Sequence, residues 1–342
     1  MSQNGESKIR GAVVGAGHMG QYHILALAEI WGVELVGVVD VDFARAERVA
    51  APYGVRAFRD HRELAGLIDF ATVAVPTEQH FAVARDLLET GAHVLVEKPM
   101  TSTLEEAKEL FRIARQQNRV LHVGHVERFN GAVQELRKIV ERPILIESRR
   151  LGPFVSRVKN DSVVMDLMIH DIDIVLGLVD GEPRKITAVG SSVHSPLTDV
   201  ATVQIMFDSG TMATITASRA TEEKIRTLAI TQPDAYILLD YSHQDIQIHR
   251  RAAQEYTLNR ESIRYRQASF VEHLLVHKDN PLKLEIRHLI SAARAAGSGP
   301  VELPEADDLR SLAVALEIER MIREGRGETA WPEDLPWSVR SP

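Results

Sequence analysis

The stretch IRGAVVGAGHMG at residues 9–20 decides the fold of the first part of this chain, because a short apolar strand pattern runs directly into a glycine-rich turn and a helix pattern. Gly15 suits the tight turn, Gly17 lets a pyrophosphate approach the backbone, and Gly20 lets the helix pack closely on the strand. The amide groups at the start of that helix attract an anion. The stretch therefore predicts a strand–turn–helix unit that binds a dinucleotide.

An acidic residue at the end of the next strand supports this interpretation. Asp40 directly follows the apolar strand pattern of residues 33–39, at the place where a carboxylate accepts hydrogen bonds from ribose hydroxyls. A 2′-phosphate would meet both Asp40 and Asp42, and no arginine is adjacent to them. We therefore predict NAD, and not NADP, as the cofactor. Three glycines in an ordinary strand-to-helix turn are the less favoured alternative.

Beyond this unit, apolar strand patterns alternate with helix patterns as far as residue 123. Continuously apolar strands that alternate with helices predict a doubly wound parallel sheet, that is, an α/β Rossmann domain. The strand patterns cover residues 9–14, 33–39, 69–75, 93–96 and 120–123, and the helix patterns cover residues 19–30, 43–51, 79–89 and 104–116.

The pattern changes near residue 125, so we divide the chain into residues 1–125 and 126–342. Consecutive short strands separated by turn residues predict an α+β second domain with an open, largely antiparallel sheet arranged as a meander. The segment 258–282 is mixed and polar and is expected to be a mobile loop. The other patterns are helices at 130–140, 162–178, 284–296 and 305–324, a strand at 144–151, and six strands between residues 185 and 249.

The composition excludes several classes of protein. The 342 residues include no cysteine, which rules out disulfides, cysteine-ligated zinc, iron–sulfur clusters and a thiol nucleophile. The net charge of −8 disfavours a nucleic-acid or anionic-membrane partner. The N-terminus is polar, unlike a signal peptide, and the apolar runs are far shorter than the ~20 residues that span a bilayer. We therefore expect a cytoplasmic protein.

Two polar clusters predict catalytic chemistry. Lys98 follows the strand pattern at 93–96, and in a doubly wound sheet this end of a strand faces the ligand crevice. There a lysine can stabilise a developing oxyanion, although an ordinary surface lysine is an open alternative. Asp166 and His170 are four residues apart on a helix pattern, so the carboxylate can orient an imidazole that removes a hydroxyl proton. A structural role for Asp166, or a metal site in this cluster, stays open.

Together these residues resemble the Gfo/Idh/MocA family of sugar and cyclitol oxidoreductases. The resemblance covers nearly the whole chain and implies NAD bound by residues 1–125, substrate bound by residues 126–342, and dimers or tetramers paired through the second domain's sheet. It also implies that the Lys98–Pro99 peptide is often cis. The implied catalytic residues are Lys98, Asp166 and His170, and the implied cofactor residues are Gly15, Gly17, His18, Met19, Gly20, Asp40, Pro76, Thr77, His80, Glu97 and Lys98.

Within the family, VGHVERFN at residues 123–130 and RLGP at 150–153 are most similar to members that oxidise the 3-hydroxyl of UDP-N-acetylglucosamine with NAD, in amino-sugar synthesis for lipid A. A free-sugar or myo-inositol dehydrogenase is the first alternative, and a non-catalytic regulator that binds a dinucleotide or sugar is the second. Arg149 and Arg150 point to opposite faces of a strand, so only one can meet a pyrophosphate, and we prefer Arg150. The expected substrate residues are Lys98, His125, Arg128, Arg150, Asp166 and His170.

Overall fold

The computed structural model describes residues 8–155, 161–251, 255–259, 262–266, 269–299 and 301–330, which form two compact units. The first unit contains the described residues up to Phe129 together with Asp279–Ala313. The second contains the described residues of Asn130–Lys278 and those from Val314 onwards. The predicted division put everything after residue 125 in the second domain, whereas Asp279–Ala313 here groups with the first unit.

The helices and strands follow most of the predicted patterns. In chain order the helices are α1 His18–Glu29, α2 Phe43–Ala50, α3 Thr77–Glu89, α4 Leu104–Gln116, α5 Gly131–Ile139, α6 Ile169–Leu178, α7 Pro281–Ala295 and α8 Glu305–Glu324. The strands are β1 Ile9–Val14, β2 Val33–Val39, β3 Arg56–Phe58, β4 Phe70–Val73, β5 His93–Glu97, β6 Leu121–Gly124, β7 Leu145–Leu151, β8 Pro183–Ser191, β9 Val200–Phe207, β10 Met212–Ser218, β11 Ile225–Thr231, β12 Ala235–Asp240, β13 Asp245–Arg251, β14 Glu255–Asn259, β15 Ser262–Arg266, β16 Ser269–Leu274 and β17 Glu328–Ala330.

The first unit contains a parallel sheet in the order β3-β2-β1-β4-β5-β6, which confirms the predicted Rossmann fold. Strands β4 and β5 are buried along their whole length, as expected for strands covered on both faces. The order reverses between β1 and β4, and ligands bind at such a switch point, outside the carboxyl ends of the strands. The sequence pattern missed β3, which has three residues and lies at the edge of the sheet.

The second unit contains a nine-stranded sheet in the order β16-β13-β12-β11-β7-β10-β9-β8-β17. Its neighbours are antiparallel except β7 and β10, which are parallel, so the predicted open and largely antiparallel sheet is confirmed. The simpler expectation of a meander was wrong at one place, because β7 lies between β10 and β11. Alternation along a strand shows which face is buried, but it does not show which strand is the neighbour.

One face of this sheet is packed against apolar side chains of α5, α6 and α8. Along β9 the inward residues Ala201, Val203 and Ile205 are buried, whereas Gln204 and Met206 on the other face are exposed. Helix α6 is apolar on most of its surface, with Ile169, Ile172, Ile174, Val175 and Leu176 all buried in the same core. The second unit therefore buries one face of its sheet and leaves the other accessible.

Two local expectations were wrong. The predicted loop at 258–282 contains, where the structure describes it, the strands β15 and β16 and the end of β14, and α7 begins at Pro281. The predicted helix 162–178 is not uniform, because Val164–Met168 forms a π-helical turn that continues into α6. Such wider turns occur often at functional sites. Within the described ranges, no helix has the length and apolar character needed to cross a bilayer.

Candidate functional site

The glycine loop contains two glycines that the fold itself requires and one that it does not. Gly15 has a φ of 99°, and its N–H donates to the carbonyl of Val39 at 2.8 Å. A Cβ at Gly15 would collide with the backbone of Ala74, and a Cβ at Gly20 would overlap the carbonyl oxygen of Gly15. A Cβ at Gly17 would meet nothing within 4 Å. Packing therefore explains Gly15 and Gly20, and open space next to the backbone remains at Gly17.

The helix that follows presents its first turn to solvent. Gly17 is the residue before the first turn of α1, and His18 and Met19 open the helix with exposed side chains. The ring of His18 contacts the ring of Tyr22 edge-on, with the ring centroids 4.9 Å apart. Amide groups at the start of a twelve-residue helix, next to open space, fit an anionic group such as a pyrophosphate. The cofactor roles of His18 and Met19 stay predictions.

Asp40 joins the end of β2 to the glycine loop. Its carboxylate accepts the N–H of Ala16 at 2.9 Å and the N–H of Asp42 at 2.9 Å, and the residue is 8% exposed. The expectation that no arginine lies near it was wrong, because the first turn of α2 places the Nε of Arg45 3.4 Å from Asp40. Arg45 also lies 3.5 Å from Asp42, so its positive charge is shared between two carboxylates. The local charge stays negative, which favours ribose hydroxyls over a 2′-phosphate.

The turn from β4 into α3 holds Pro76, Thr77 and His80. Pro76 precedes the first turn of α3, which starts at Thr77. His80 is 1% exposed, and its Nδ1 and Nε2 each lie 2.9 Å from a carbonyl oxygen, that of Pro99 and that of Val75 respectively. Both ring nitrogens of His80 therefore face the backbone of the protein. The predicted contact between His80 and the cofactor has no support from this geometry.

Glu97 ends β5 and lies beside the candidate catalytic lysine. Its Oε1 is 2.8 Å from the Nε2 of His23, and its Oε2 accepts the N–H of Lys98 at 3.3 Å. Burial opposes ionisation, but the hydrogen bond from His23 and nearby positive charge keep the pKa of Glu97 below its ordinary value. The Lys98–Pro99 peptide is cis, as the resemblance implied. Lys98 is half-buried at the carboxyl edge of the sheet.

His23 is a residue of this site that the sequence analysis did not predict. It is fully buried on the face of α1 that also carries Gly20, Ile24 and Leu27. A lone polar side chain at helical spacing within an apolar face is the signal that was available. Its partner lies 74 residues away, so the sequence alone did not show what the side chain contacts.

His125 and Arg128 follow β6, the strand paired with β5. Glu97 and Gly124 are partners in the register of these strands, so His125 lies at the same carboxyl edge as Glu97 and Lys98. His125 is 3% exposed, and Arg128 forms an ion pair with the fully buried carboxylate of Asp308 at 2.7 Å. The ion pair holds the guanidinium of Arg128 and reduces the charge that it could offer a phosphate.

Asp166 and His170 lie in consecutive turns of the second unit. Asp166 is in the π-helical turn, His170 is in the first turn of α6, and both side chains are half-buried. The next residue, Asp171, is fully buried and accepts hydrogen bonds from Ser148 Oγ at 2.7 Å and from Arg150 Nε at 2.6 Å. These contacts anchor the start of α6 to the central strand β7.

The predicted substrate role of Arg150 does not fit this arrangement. Arg150 is 2% exposed, its guanidinium pairs with Asp171, and it lies 4.9 Å from the ring centroid of Tyr241. Arg150 was preferred over Arg149 because it opens the RLGP segment at 150–153, and that motif does not show which face of β7 leads to the substrate. The face that carries Arg150 leads to the core beneath α6, because alternation sends Arg150 to the same side as Ile146 and Ser148.

A second buried ion pair holds the segment in front of the π-helical turn. Asp199 accepts the N–H groups of Val193, His194 and Ser195 at 2.6–2.8 Å and pairs with Arg219 Nε at 2.6 Å. Burial opposes ionisation of Asp199, but these bonds place its pKa well below the usual range. Arg219 also donates to the carbonyl of Asp161. No sequence signal indicated this pair, since its members are twenty residues apart, Asp199 just before β9 and Arg219 just after β10.

The part of the chain that the structure describes contains no candidate metal site. No group of three or more His, Asp or Glu side chains is arranged there to hold a metal ion. A reaction without a metal therefore stays a prediction.

The Rossmann sheet, the glycine loop and the acidic end of β2 define a dinucleotide-binding protein, and the comparisons with known proteins give its family. A model of the Gfo/Idh/MocA oxidoreductase family, with an NAD-binding Rossmann fold, matches residues 9–125. A model of the family's C-terminal domain matches residues 130–233. The chain belongs to the Gfo/Idh/MocA family of oxidoreductases, which confirms the resemblance and the NAD-binding domain.

Individual relatives agree with this assignment. The chain is 37% identical over 246 residues to UDP-N-acetylglucosamine 3-dehydrogenase of Acidithiobacillus ferrooxidans, covering 72% of this chain and 78% of the relative. A solved structure of that organism's dehydrogenase, GnnA, superimposes with a TM-score of 0.83 at 33% identity, over 93% of this chain and 99% of the other. The scyllo-inositol 2-dehydrogenase (NAD(+)) of Bacillus subtilis is 29% identical over 265 residues, 71% of this chain and 77% of its own.

Proposed function

We propose that this chain oxidises the 3-hydroxyl of UDP-N-acetylglucosamine, with NAD as the hydride acceptor. The observation that carries the proposal is the 37% identity over 72% of the chain to a UDP-N-acetylglucosamine 3-dehydrogenase. The similarity to an NAD-dependent inositol dehydrogenase at 29% identity makes oxidation of a free sugar or cyclitol the second candidate. Both reactions remove hydride from a secondary alcohol, so the candidates differ in the substrate and not in the chemistry.

The residues of the first unit fit NAD. The open space at Gly17 and the amide groups at the start of α1 suit a pyrophosphate. The carboxylate of Asp40, with Arg45 neutralised beside it, suits the two ribose hydroxyls. When bound, NAD supplies the acceptor for the hydride. We assign Pro76 and Thr77 to the same cofactor site, because the turn into α3 lies at the carboxyl edge of β4.

We assign the proton transfer to three residues. His170 takes the proton of the sugar hydroxyl, and Asp166 orients the imidazole and stabilises its charged form. Lys98 donates a hydrogen bond to the oxygen and stabilises the negative charge that develops as hydride leaves. Because these groups would titrate together, a pH–rate profile reports the set and not one member.

We assign the substrate to contacts with His125 and Arg128 as well as with the three catalytic residues. Their place at the carboxyl edge of β6, level with Glu97 on β5, supports this assignment. The buried ion pair of Arg150 with Asp171 removes Arg150 from the proposed contacts.

The proposal also covers the oligomeric state of the chain and the compartment in which it acts. The accessible face of the nine-stranded sheet carries Val189, Met206, Met212 and Tyr236, which are 61%, 46%, 44% and 39% exposed. Burial of these apolar side chains would favour a homodimer or homotetramer paired through this face, which light scattering on the full chain tests.

We place the reaction in the cytoplasm, where NAD and nucleotide sugars are made, and in the supply of amino sugars for lipid A.

The proposal is tested by NAD reduction against matched substrates. The full chain is assayed with UDP-N-acetylglucosamine, UDP-glucose, free N-acetylglucosamine, myo-inositol and scyllo-inositol. We expect NADH only with UDP-N-acetylglucosamine, and we expect borodeuteride reduction of the product to label carbon 3. Activity confined to free sugars or inositols would replace the proposal by the second candidate. Tight NAD binding with no reduction on any substrate would favour a non-catalytic regulator.

The same assay tests the assigned base. His170→Ala is expected to lower turnover by about 10²-fold or more while the Kd for NAD changes little, because proton transfer contributes about 10²–10⁴-fold. His243→Ala, which alters an exposed histidine, is the matched control. Turnover of His170→Ala equal to that of the control would remove His170 from catalysis.

A further inference from the structure

Two buried histidines hold the turn that carries Lys98. His23 on α1 is fully buried, and its Nε2 lies 2.8 Å from the Oε1 of Glu97, the residue before Lys98. His80 on α3 is 1% exposed, and its Nδ1 lies 2.9 Å from the carbonyl oxygen of Pro99, the residue after Lys98. The lysine therefore lies between two residues that are each held by a different helix of the first unit.

The hydrogen bonds of His80 determine how many protons its ring carries. Its second nitrogen, Nε2, lies 2.9 Å from the carbonyl oxygen of Val75. Carbonyl oxygens only accept hydrogen bonds, and a neutral imidazole has a single N–H. A neutral ring would point a nitrogen lone pair at one of these oxygens. Donation to both carbonyls requires an N–H on each nitrogen, which is the imidazolium.

Burial alone opposes a charged ring, so the charge of His80 needs compensation. The two carbonyl dipoles supply part of it. The carboxylate of Glu97 supplies more, because burial opposes its ionisation but the hydrogen bond from His23 and the nearby charge of Lys98 keep its pKa below the ordinary value. The charged and titratable groups that meet at this turn are Glu97 on β5, His23 on α1, His80 on α3, and Lys98 itself.

Glu97 completes the hold on Lys98 from the other side. Its Oε2 accepts the backbone N–H of Lys98 at 3.3 Å, while its Oε1 is bound to His23. Gly124 on the neighbouring strand leaves room for this carboxylate, since a Cβ there would lie 3.1 Å from Oε2. The N–H of Lys98 and the carbonyl of Pro99 are therefore fixed by buried polar groups. A small shift of either would displace the lysine ammonium.

We propose that His80 is a positioning residue held as a buried imidazolium, which ties the carbonyl of Pro99 to that of Val75 and thereby sets the place of Lys98. The proposal rests on the proposed function in one respect, the catalytic role of Lys98. It replaces the expectation that His80 contacts the cofactor. His80 acts through the Pro99 carbonyl and does not touch the reacting atoms.

The protonation of His80 is tested without any substrate. The full chain labelled with ¹⁵N at histidine is studied by long-range ¹H–¹⁵N correlation at neutral pH, with the His80 signals assigned from the His80→Gln variant. We expect both ring nitrogens of His80 to be protonated. His93 is the matched internal control, because its Nδ1 accepts the N–H of Val120 at 2.9 Å and must lack a proton. A single N–H on His80 would overturn the proposal.

The positioning role is tested by kinetics on three variants. His80→Leu removes both donors, whereas His80→Gln keeps an amide that can donate to the carbonyls. We expect kcat to fall about 10²-fold in His80→Leu, because a displacement of about 1 Å costs this much, and to recover at least tenfold in His80→Gln. The Kd for NAD is expected to change less than threefold, a rough bound for a group that does not touch the cofactor. His93→Gln controls for the loss of a buried histidine.

Each outcome has one meaning. If His80→Leu is folded and keeps the kcat of His93→Gln, the positioning role is wrong. If the Kd for NAD rises in parallel with the loss of kcat, His80 contacts the cofactor, as the family resemblance implied, and the proposal fails. If the wild-type chain oxidises none of the sugars, the proposed function fails, while the ¹⁵N spectrum still decides the protonation of His80.

Discussion

Replacement of Arg150 by methionine tests whether this arginine holds the second unit together or binds the substrate. The side chains of Arg150 and Asp171 are 3% and 1% exposed, and Nε and Oδ2 are 2.6 Å apart. Arg150→Met keeps much of the side-chain volume and removes the charge. Asp171 would then remain buried without the guanidinium, and Ser148 Oγ would still donate to it.

The size of the effect follows from this burial. Removing one partner of a buried ion pair costs about 3–5 kcal/mol, because the other charge is left uncompensated. For a unit of this size each kcal/mol lowers Tm by roughly 2–4 °C, so the transition of the second unit is expected to fall by roughly 6–20 °C. Arg150→Met with Asp171→Leu removes both charges and is expected to recover much of that loss, since apolar replacement of a whole pair is often neutral.

Differential scanning calorimetry of the full chain measures the shift, and Arg10→Met is the matched control. Arg10 pairs with Asp69 at 2.7 Å, but both side chains are well exposed, so water already screens the pair and Tm should not move. The KM for the nucleotide sugar is measured on the same samples. An unchanged Tm in Arg150→Met together with a raised KM would refute the structural role and restore Arg150 as a substrate residue.

Two further predictions concern the glycine loop and acid stability. Gly17→Ala is expected to leave Tm unchanged, because its Cβ meets only open space, but to raise the Kd for NAD about tenfold or more. Gly20→Ala is expected to lower Tm, because its Cβ would overlap the Gly15 carbonyl. Equal effects of the two variants on Tm would contradict this prediction. Burial, with Arg119 near His93 and with His288 and Arg128 near His122, lowers the pKa of each histidine to about 4 from 6.5. Their contribution to stability is therefore complete above pH 6.5 and lost as pH falls towards 4, so Tm should fall between about pH 6.5 and pH 4. The double variant His93→Asn/His122→Phe should flatten that slope, and a slope equal to that of the wild type would show that other groups cause it.

Most of the Rossmann half was predictable because its signals are local. Helix α4 and strand β2 have the bounds that the apolar spacing predicted. Within the glycine loop, the positive φ of Gly15 and the overlap of a Gly20 Cβ with the Gly15 carbonyl are local requirements. The edge strand β3 was missed, since three residues are too few to show a period. Asp40 was correctly placed at the end of β2, but Arg45 was overlooked because one helical turn brings it back to the carboxylate.

The second unit was less predictable because its decisive contacts are long-range. The strands of β8 to β13 were found from alternation, but the place of β7 between β10 and β11 depends on pairing between distant segments. The π-helical turn at Val164–Met168 likewise left no mark on the apolar pattern, which reads as one helix through Leu178.

The sequence by itself determined the class of fold, the glycine loop with its acidic partner, and the family, because period, turn residues and short motifs are properties of neighbouring residues. Only the tertiary structure decided what the polar side chains contact. It showed that Arg150 pairs with Asp171, that His80 faces two carbonyls, and that His23 holds Glu97. The physical reason is that a buried polar group must find a partner in three dimensions, and the partner can lie anywhere along the chain.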